Sequence, residues 1–202
     1  ELGKSEKDII LRTIAAIYRD KKDFDNALKY IELSKEIDPN NINLILLESN
    51  IRWELGDVES YEKLITKALE INPENTDLVF NLGVVNADKG NIDLALEFYN
   101  KAIQLDPSYT KAYLNAAALI LEKDEPIIEE MNSLGMSTAD YNRYDELKLI
   151  REELFKSAIP YLNKVYELDP NNIDCIKTLR NIYEQLGETD EAKKYRELLQ
   201  SF

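Results

Sequence analysis

Carboxylates are the side chains whose number and grouping in this sequence come nearest to a catalytic set. Asp and Glu total 39 against 25 Lys and Arg, and they bunch at Glu122, Asp124 and Glu125 and again at Glu129 and Glu130. Two carboxylates can serve as acid and base, but only where a shielded cleft separates their pKa values. A charge run at a helix end is solvated, so both bunches read as surface. Histidine is absent, which removes the commonest general base and transition-metal ligand. The single cysteine, Cys175, has no histidine to activate it and reads as a small apolar residue on a helix. Neither a Gly-rich phosphate loop nor a nucleophile elbow occurs. The Asp-Pro-Asn-Asn stretches at Asp38 and Asp169 lack the alternating ligands and closing Glu of a calcium loop. No catalysis, cofactor or metal is expected.

The elements that would position any side chain are punctuated by proline. Pro39, Pro73 and Pro107 are evenly spaced, and Pro170 follows after one such period plus a further stretch nearly as long. Each closes the same kind of segment: Ile37-Asp38, Ile71-Asn72, Leu105-Asp106 and Leu168-Asp169. Gly56, Gly90 and Gly187 each fall half a period after a proline of this set. Glycine ends helices cheaply and proline marks the stop of the next one, so each unit predicts helix, tight turn, helix. Between the marks, Leu78, Val79, Leu82 and Val85, then Leu94, Ala95, Phe98, Tyr99, Ala102 and Ile103, recur at three and four. Small residues (Ala15, Ser49, Gly83, Ala117; Ala27, Ala95, Ala158, Ala192) repeat in phase with large ones (Ile31, Ile65, Tyr99, Leu162). Small side chains let helix axes approach to about 8 Å. A period of this length means stacked copies of one small unit.

The first unit reads Leu11, Ile14-Ala15, Tyr18, Ala27, Ile31, Pro39, and the third reads Val79, Leu82-Gly83, Ala95, Tyr99, Pro107. In this the chain resembles tetratricopeptide-repeat (TPR) proteins over residues 8 to 202. The resemblance implies an all-α, right-handed solenoid of helical hairpins with about five repeats: 8–41, 42–75, 76–109, 110–172 and 173–202. Pentatricopeptide repeats, which read RNA, have a slightly longer period and suit an acidic chain poorly. Two units depart from the pattern. The second carries Arg52 for the usual Tyr, Trp53 beside it, and Tyr61 for the usual Ala, so its helix pair is expected to be the least regular. The fifth places Arg196 at a large apolar position in a Lys- and Glu-rich helix, as a terminal cap would.

The extra stretch falls at 124–152, inside the turn of the fourth unit. Glu125-Pro126 suits a helix start, with a short helix over Ile127 to Asn132 and a turn at Ser133 to Met136. Ser137 with Asp140 forms a capping-box-like start. From there a helix is predicted from near Thr138 to Glu167, about 45 Å long and kinked at Pro160. Both methionines of the chain, Met131 and Met136, fall in this insertion. With Leu134 they form a candidate second binding surface, methionine being adaptable; otherwise they fill the space between the arms.

The net charge of −14 argues against nucleic acid and anionic membrane surfaces. No apolar run approaches the ~18 residues of a membrane span. The expected partner is a protein or peptide. TPR proteins usually hold an extended peptide or partner helix in the concave groove lined by the first helices. Carried over, that lining is Arg12, Ala16 and Arg19; Asn43, Leu46, Asn50 and Trp53; Asp77, Phe80, Asn81 and Val84; Lys111, Leu114, Asn115 and Ala118; and Lys177 with Asn181. The family's carboxylate clamp is not reproduced, since Ala16, Asp77 and Asn81 occupy positions that need Asn, Lys and Arg. Chaperone-tail binding is therefore not expected. Self-assembly through the exposed first helix and the hairpin of the fourth unit is the rival role, and regulatory association with an enzyme subunit a weaker one. The first helix is apolar nearly all round (Ile9, Ile10, Leu11, Ile14, Ala15, Ala16, Ile17, Tyr18). Such a helix expects burial on both sides, by a further repeat upstream or by self-association. The chain starts at Glu1 without a signal-like stretch, which leaves a cytoplasmic and an exported location equally open.

Overall fold

The computed structural model describes residues 3–202, and every regular element among them is an α-helix. The chain divides into two compact units, Glu1–Asn91 and Ile92–Phe202.

The first unit holds α1 (Lys4–Asp20), α2 (Phe24–Lys35), α3 (Ile42–Glu54), α4 (Val58–Ile71) and α5 (Thr76–Asp88). α1 pairs with α2 and α3 with α4, while α2 abuts α3, α4 abuts α5 and α1 touches α3. The helix starts repeat at the same period as the prolines. Asp23 and Asp57 cap α2 and α4, accepting from Asn26 N and Ser60 N; Asn41 and Asn75 cap α3 and α5, accepting from Asn43 N and Leu78 N. Each such cap satisfies a backbone N–H that has no partner within its helix, worth about 1 kcal/mol. Ala15 and Ala27 are fully buried and let α1 and α2 close on one another; Ile31, Leu44 and Ile51 fill the rest of that core.

The turns follow the glycines. Gly56, Gly90 and Gly187 have φ of +73°, +76° and +74°. The first hairpin has no glycine. Lys22, half a period before Pro39, takes the left-handed conformation there with φ +57°. A side chain at such φ is strained by its Cβ, and glycine removes that strain at some entropic cost. Lys22→Gly is expected to stabilise the protein by about 0.5–1 kcal/mol, read as a raised urea midpoint. A lowered midpoint would show the strain to be negligible.

The second unit holds α6 (Ile92–Leu105), α7 (Thr110–Leu121), α8 (Asp124–Ser133), α9 (Thr138–Leu168), α10 (Ile173–Leu186) and α11 (Thr189–Leu199). α7 pairs with α9 and α10 with α11; α6 lies against α7, α9 against α10, and α8 leans on α9. Its core joins Tyr113, Ala117, Phe155, Ala158, Leu162, Val165, Ile176, Leu179 and Tyr195. α8 begins at Asp124, before the Ile127 start expected from Pro126. The first-turn N–H groups of a helix have no internal partner, so a proline there loses nothing. Ser137 and Asp140 close a reciprocal capping box, and α9 runs 31 residues as one helix through Pro160. On α11, Ala192 and Tyr195 are buried. Arg196, where a large apolar residue is expected, faces solvent and donates to Glu184 at 2.7 Å.

The apolar outer face of α1 is left open within the described chain. Leu11 and Ala15 are buried, but Ile10 and Ile17 are 43% and 48% exposed, so only one side of this helix is covered in the structure. Among the described residues, no helix is long and apolar enough to cross a membrane, and no group of three or more acidic or cysteine ligands is placed to hold a metal.

Candidate functional site

Helical spacing puts Arg12, Ala16 and Arg19 on one face of α1, and Asn43, Leu46 and Asn50 on one face of α3. The two faces meet across a single open trough of about 360 Å³, which Ile9, Thr13 and Leu47 complete. The small side chain of Ala16 leaves the trough open at its middle, and Leu47, 9% exposed, closes its base. Both cations are already engaged. Arg12 Nε donates to Asp8 Oδ2 at 2.9 Å, and Arg19 donates to Asp20 Oδ1 through Nε and a terminal nitrogen at 3.0 and 2.7 Å. The Asn43 and Asn50 side chains are exposed and make no hydrogen bond among the described residues. Each amide can donate and accept at once, which suits the backbone of an extended peptide.

The other groove positions lie elsewhere. Trp53 is outside this trough: its ring rests on Tyr61 of α4, centroids 5.0 Å apart and tilted by 50°. The aromatic pair follows from the second unit's departures, because Tyr61 is a large side chain at a small position and Trp53 is the neighbour that covers it. Asp77, Phe80 and Asn81 are on α5, with Phe80 and Asn81 half-buried. On α7, Lys111 is exposed, Leu114 packs partly against the core of the second unit, and Asn115 donates to Tyr99 Oη at 3.5 Å. On α10, Lys177 pairs with Asp174 at 3.7 Å and Asn181 accepts from Arg180 at 2.7 Å.

Met131, Leu134 and Met136 line one cleft of about 490 Å³ at the tip of the α8–α9 hairpin, with Tyr141, Tyr144, Asp140 and Asp145. Met131 and Leu134 are half-buried, whereas Met136 is 89% exposed and fills no space between the arms. From the sequence the two tyrosines read only as part of the three-four spacing of the long helix; the same i, i+3 spacing beside Asp145 puts them on a shared face. Asp8 escaped the sequence reading; it is 6% exposed and accepts from Arg12, from Ser34 Oγ at 2.5 Å and from Asn41 Nδ2 at 3.4 Å. Its one local signal is an acid one helical turn before an arginine.

One carboxylate of each acidic bunch is structural, while Glu122, Glu125 and Glu129 are exposed. Arg151 grips Asp124 at 2.6 and 2.9 Å, and Arg143 grips Glu130 at 2.6 and 3.1 Å, clasping the two arms together. The bonds from Arg143 hold the Glu130 carboxyl below its ordinary pKa. Burial pushes the Cys175 thiol up to about 11, and its Sγ donates to Leu162 O at 3.2 Å, so the thiolate needed for nucleophilic attack is disfavoured.

Tetratricopeptide-repeat models match residues 13–41, 78–109 and 149–199, together more than half of the chain. The chain belongs to the tetratricopeptide-repeat family. TPR structures resemble it throughout. A crystal structure of MamA aligns with a TM-score of 0.69 at 21% identity, covering 98% of this chain and 92% of that one. A second MamA structure gives 0.65 at 20%, covering 93% of each. YrrB, described as a TPR protein with an unusual peptide-binding site, gives 0.62 at 17%, covering 94% of this chain and 82% of that one. At these identities the likeness shows the fold: an all-α TPR solenoid. No curated protein matches the chain by sequence. TPR proteins are in general interaction scaffolds, and membership of the family supports a protein-interaction scaffold here.

Proposed function

We propose that this TPR scaffold binds an extended peptide or partner segment in the α1–α3 trough. The observation that carries the reading is that Arg12, Ala16, Arg19, Asn43, Leu46 and Asn50 line one cleft. Leu46, Leu47 and Ile9 supply apolar contact, and Asn43 and Asn50 supply paired donors and acceptors for a peptide backbone. YrrB, a TPR protein with an unusual peptide-binding site, supports peptide binding as a use of this fold.

Short peptides selected by display on the whole chain and then labelled test the reading by fluorescence anisotropy. Leu46→Arg is expected to weaken them about tenfold or more. Peptides that bind Leu46→Arg as they bind the parent would end the trough assignment.

Self-association is favoured by one observation, the exposed Ile10 and Ile17 on the outer face of α1. A light-scattering mass above that of one chain, restored to one chain by Ile10→Glu with Ile17→Glu, would establish that role instead.

A further inference from the structure

The hairpin of α8 and α9 carries a second cleft whose chemistry differs from that of the trough. Its walls are large and apolar: Met131 from the last turns of α8, Leu134 and Met136 from the turn, Tyr141 and Tyr144 from the first two turns of α9. Met131 and Leu134 are half-buried, and Met136, Tyr141 and Tyr144 are open to solvent at 89%, 59% and 46% exposure. Nothing in the fold of the repeats requires them there, because the segment lies outside the repeat period.

The charge at this cleft is of one sign. Asp140 and Asp145 are its only ionised lining groups. Asp140 is committed to the capping box with Ser137, while no ion pair among the described residues takes up Asp145. Over residues 124–152 there are eight carboxylates against three cations, Arg143, Lys148 and Arg151. Arg143 is neutralised by Glu130 and Glu146, and Arg151 by Asp124. The hairpin tip thus combines exposed methionine and tyrosine side chains with an unbalanced negative field. Methionine adapts to varied apolar anchors, and tyrosine faces attract cations. A second copy of this chain is a poor occupant, since it brings a further −14 charge and the same acidic hairpin.

The geometry points to a basic amphipathic protein segment as the occupant of the hairpin cleft, its large apolar side chains seated between Met131, Met136 and Tyr141 and its Lys or Arg side chains facing Asp145 and the tyrosine rings. This site is independent of the trough, and either can fail without the other.

A fluorescein-labelled helical peptide of leucine and lysine at three-four spacing, with its leucine–glutamate counterpart as control, tests the assignment by anisotropy on the full chain at physiological salt. The leucine–lysine peptide is expected to bind saturably, one per chain, and the glutamate peptide not at all. Met136→Glu with Tyr141→Glu is expected to weaken binding about tenfold or more, and Asp145→Lys about threefold or more. These side chains are exposed, so helix content by circular dichroism is expected to stay at the parental value; Leu46→Arg in the trough leaves the affinity unchanged. Absence of saturable binding, or equal binding of the glutamate peptide, overturns the proposal. Binding that salt abolishes but the tip substitutions do not is diffuse attraction to an acidic chain, and also overturns it. Loss on Leu46→Arg alone would move the peptide to the trough, and a fall in the light-scattering mass of the unliganded chain on Met136→Glu would make the occupant a second copy; either overturns it.

Discussion

Replacing Ile31 with alanine is expected to destabilise the first unit by about 3 kcal/mol. Ile31 has no exposed surface and sits among Ala15, Ala27, Leu44, Leu47 and Ile51. Its substitution loses the transfer energy of the deleted carbons and leaves a void. The void cannot collapse well, because the facing residues on α1 and on α2 itself are alanines, which have no rotamers with which to refill it. Leu33, on the same helix and 39% exposed, is the internal control, and Leu33→Ala is expected to shift stability by no more than about 0.5–1 kcal/mol. Urea unfolding followed by far-ultraviolet circular dichroism measures both. Equal shifts for the two variants would mean that the small–large phasing of α1 against α2 does not define the core.

Asp8→Ala is expected to cost about 2 kcal/mol, although the residue lies near the start of the described chain. Its carboxylate ties together α1 through Arg12, α2 through Ser34 and the loop before α3 through Asn41. Arg12 keeps access to water once Asp8 is gone, but Ser34 has no exposed surface, and an unsatisfied buried hydroxyl carries the full desolvation penalty. A double-mutant cycle with Ser34→Ala isolates that part, with a coupling energy expected at about 1 kcal/mol. Strict additivity of the two substitutions would remove Asp8 as the clasp of the first hairpin. Arg12 also lines the trough, so loosening this clasp is expected to weaken trough binding along with stability.

The fold was legible because its marks are local and periodic. Proline after an Ile/Leu-Asp/Asn pair and glycine half a period later state where helices stop, and a capping box at Ser137 states where the long one starts. Lys22 escaped because a lysine carries no sign of the left-handed φ it is forced to adopt; only the period points to it. The trough residues on α1 and α3 follow from helical spacing and from the lateral meeting of like helices. Trp53 did not follow, since its orientation is decided by Tyr61 on another helix, a tertiary contact that no local pattern encodes. Asp8 was hidden for the same reason: a carboxylate in a polar stretch reads as solvated until Ser34 and Asn41 arrive from far along the chain. At the insertion, the methionines were visible by composition, but the open cleft they form with Tyr141 and Tyr144 depends on how the turn seats itself.

The chain has one tryptophan, and its indole lies against Tyr61 within the first unit. Its emission is therefore an optical reporter confined to residues before Asn91, whereas ellipticity sums over the whole molecule. Melting curves recorded by the two probes on one sample superimpose only if the halves lose structure in a single concerted step. A gap between them would measure directly how far the two units melt independently.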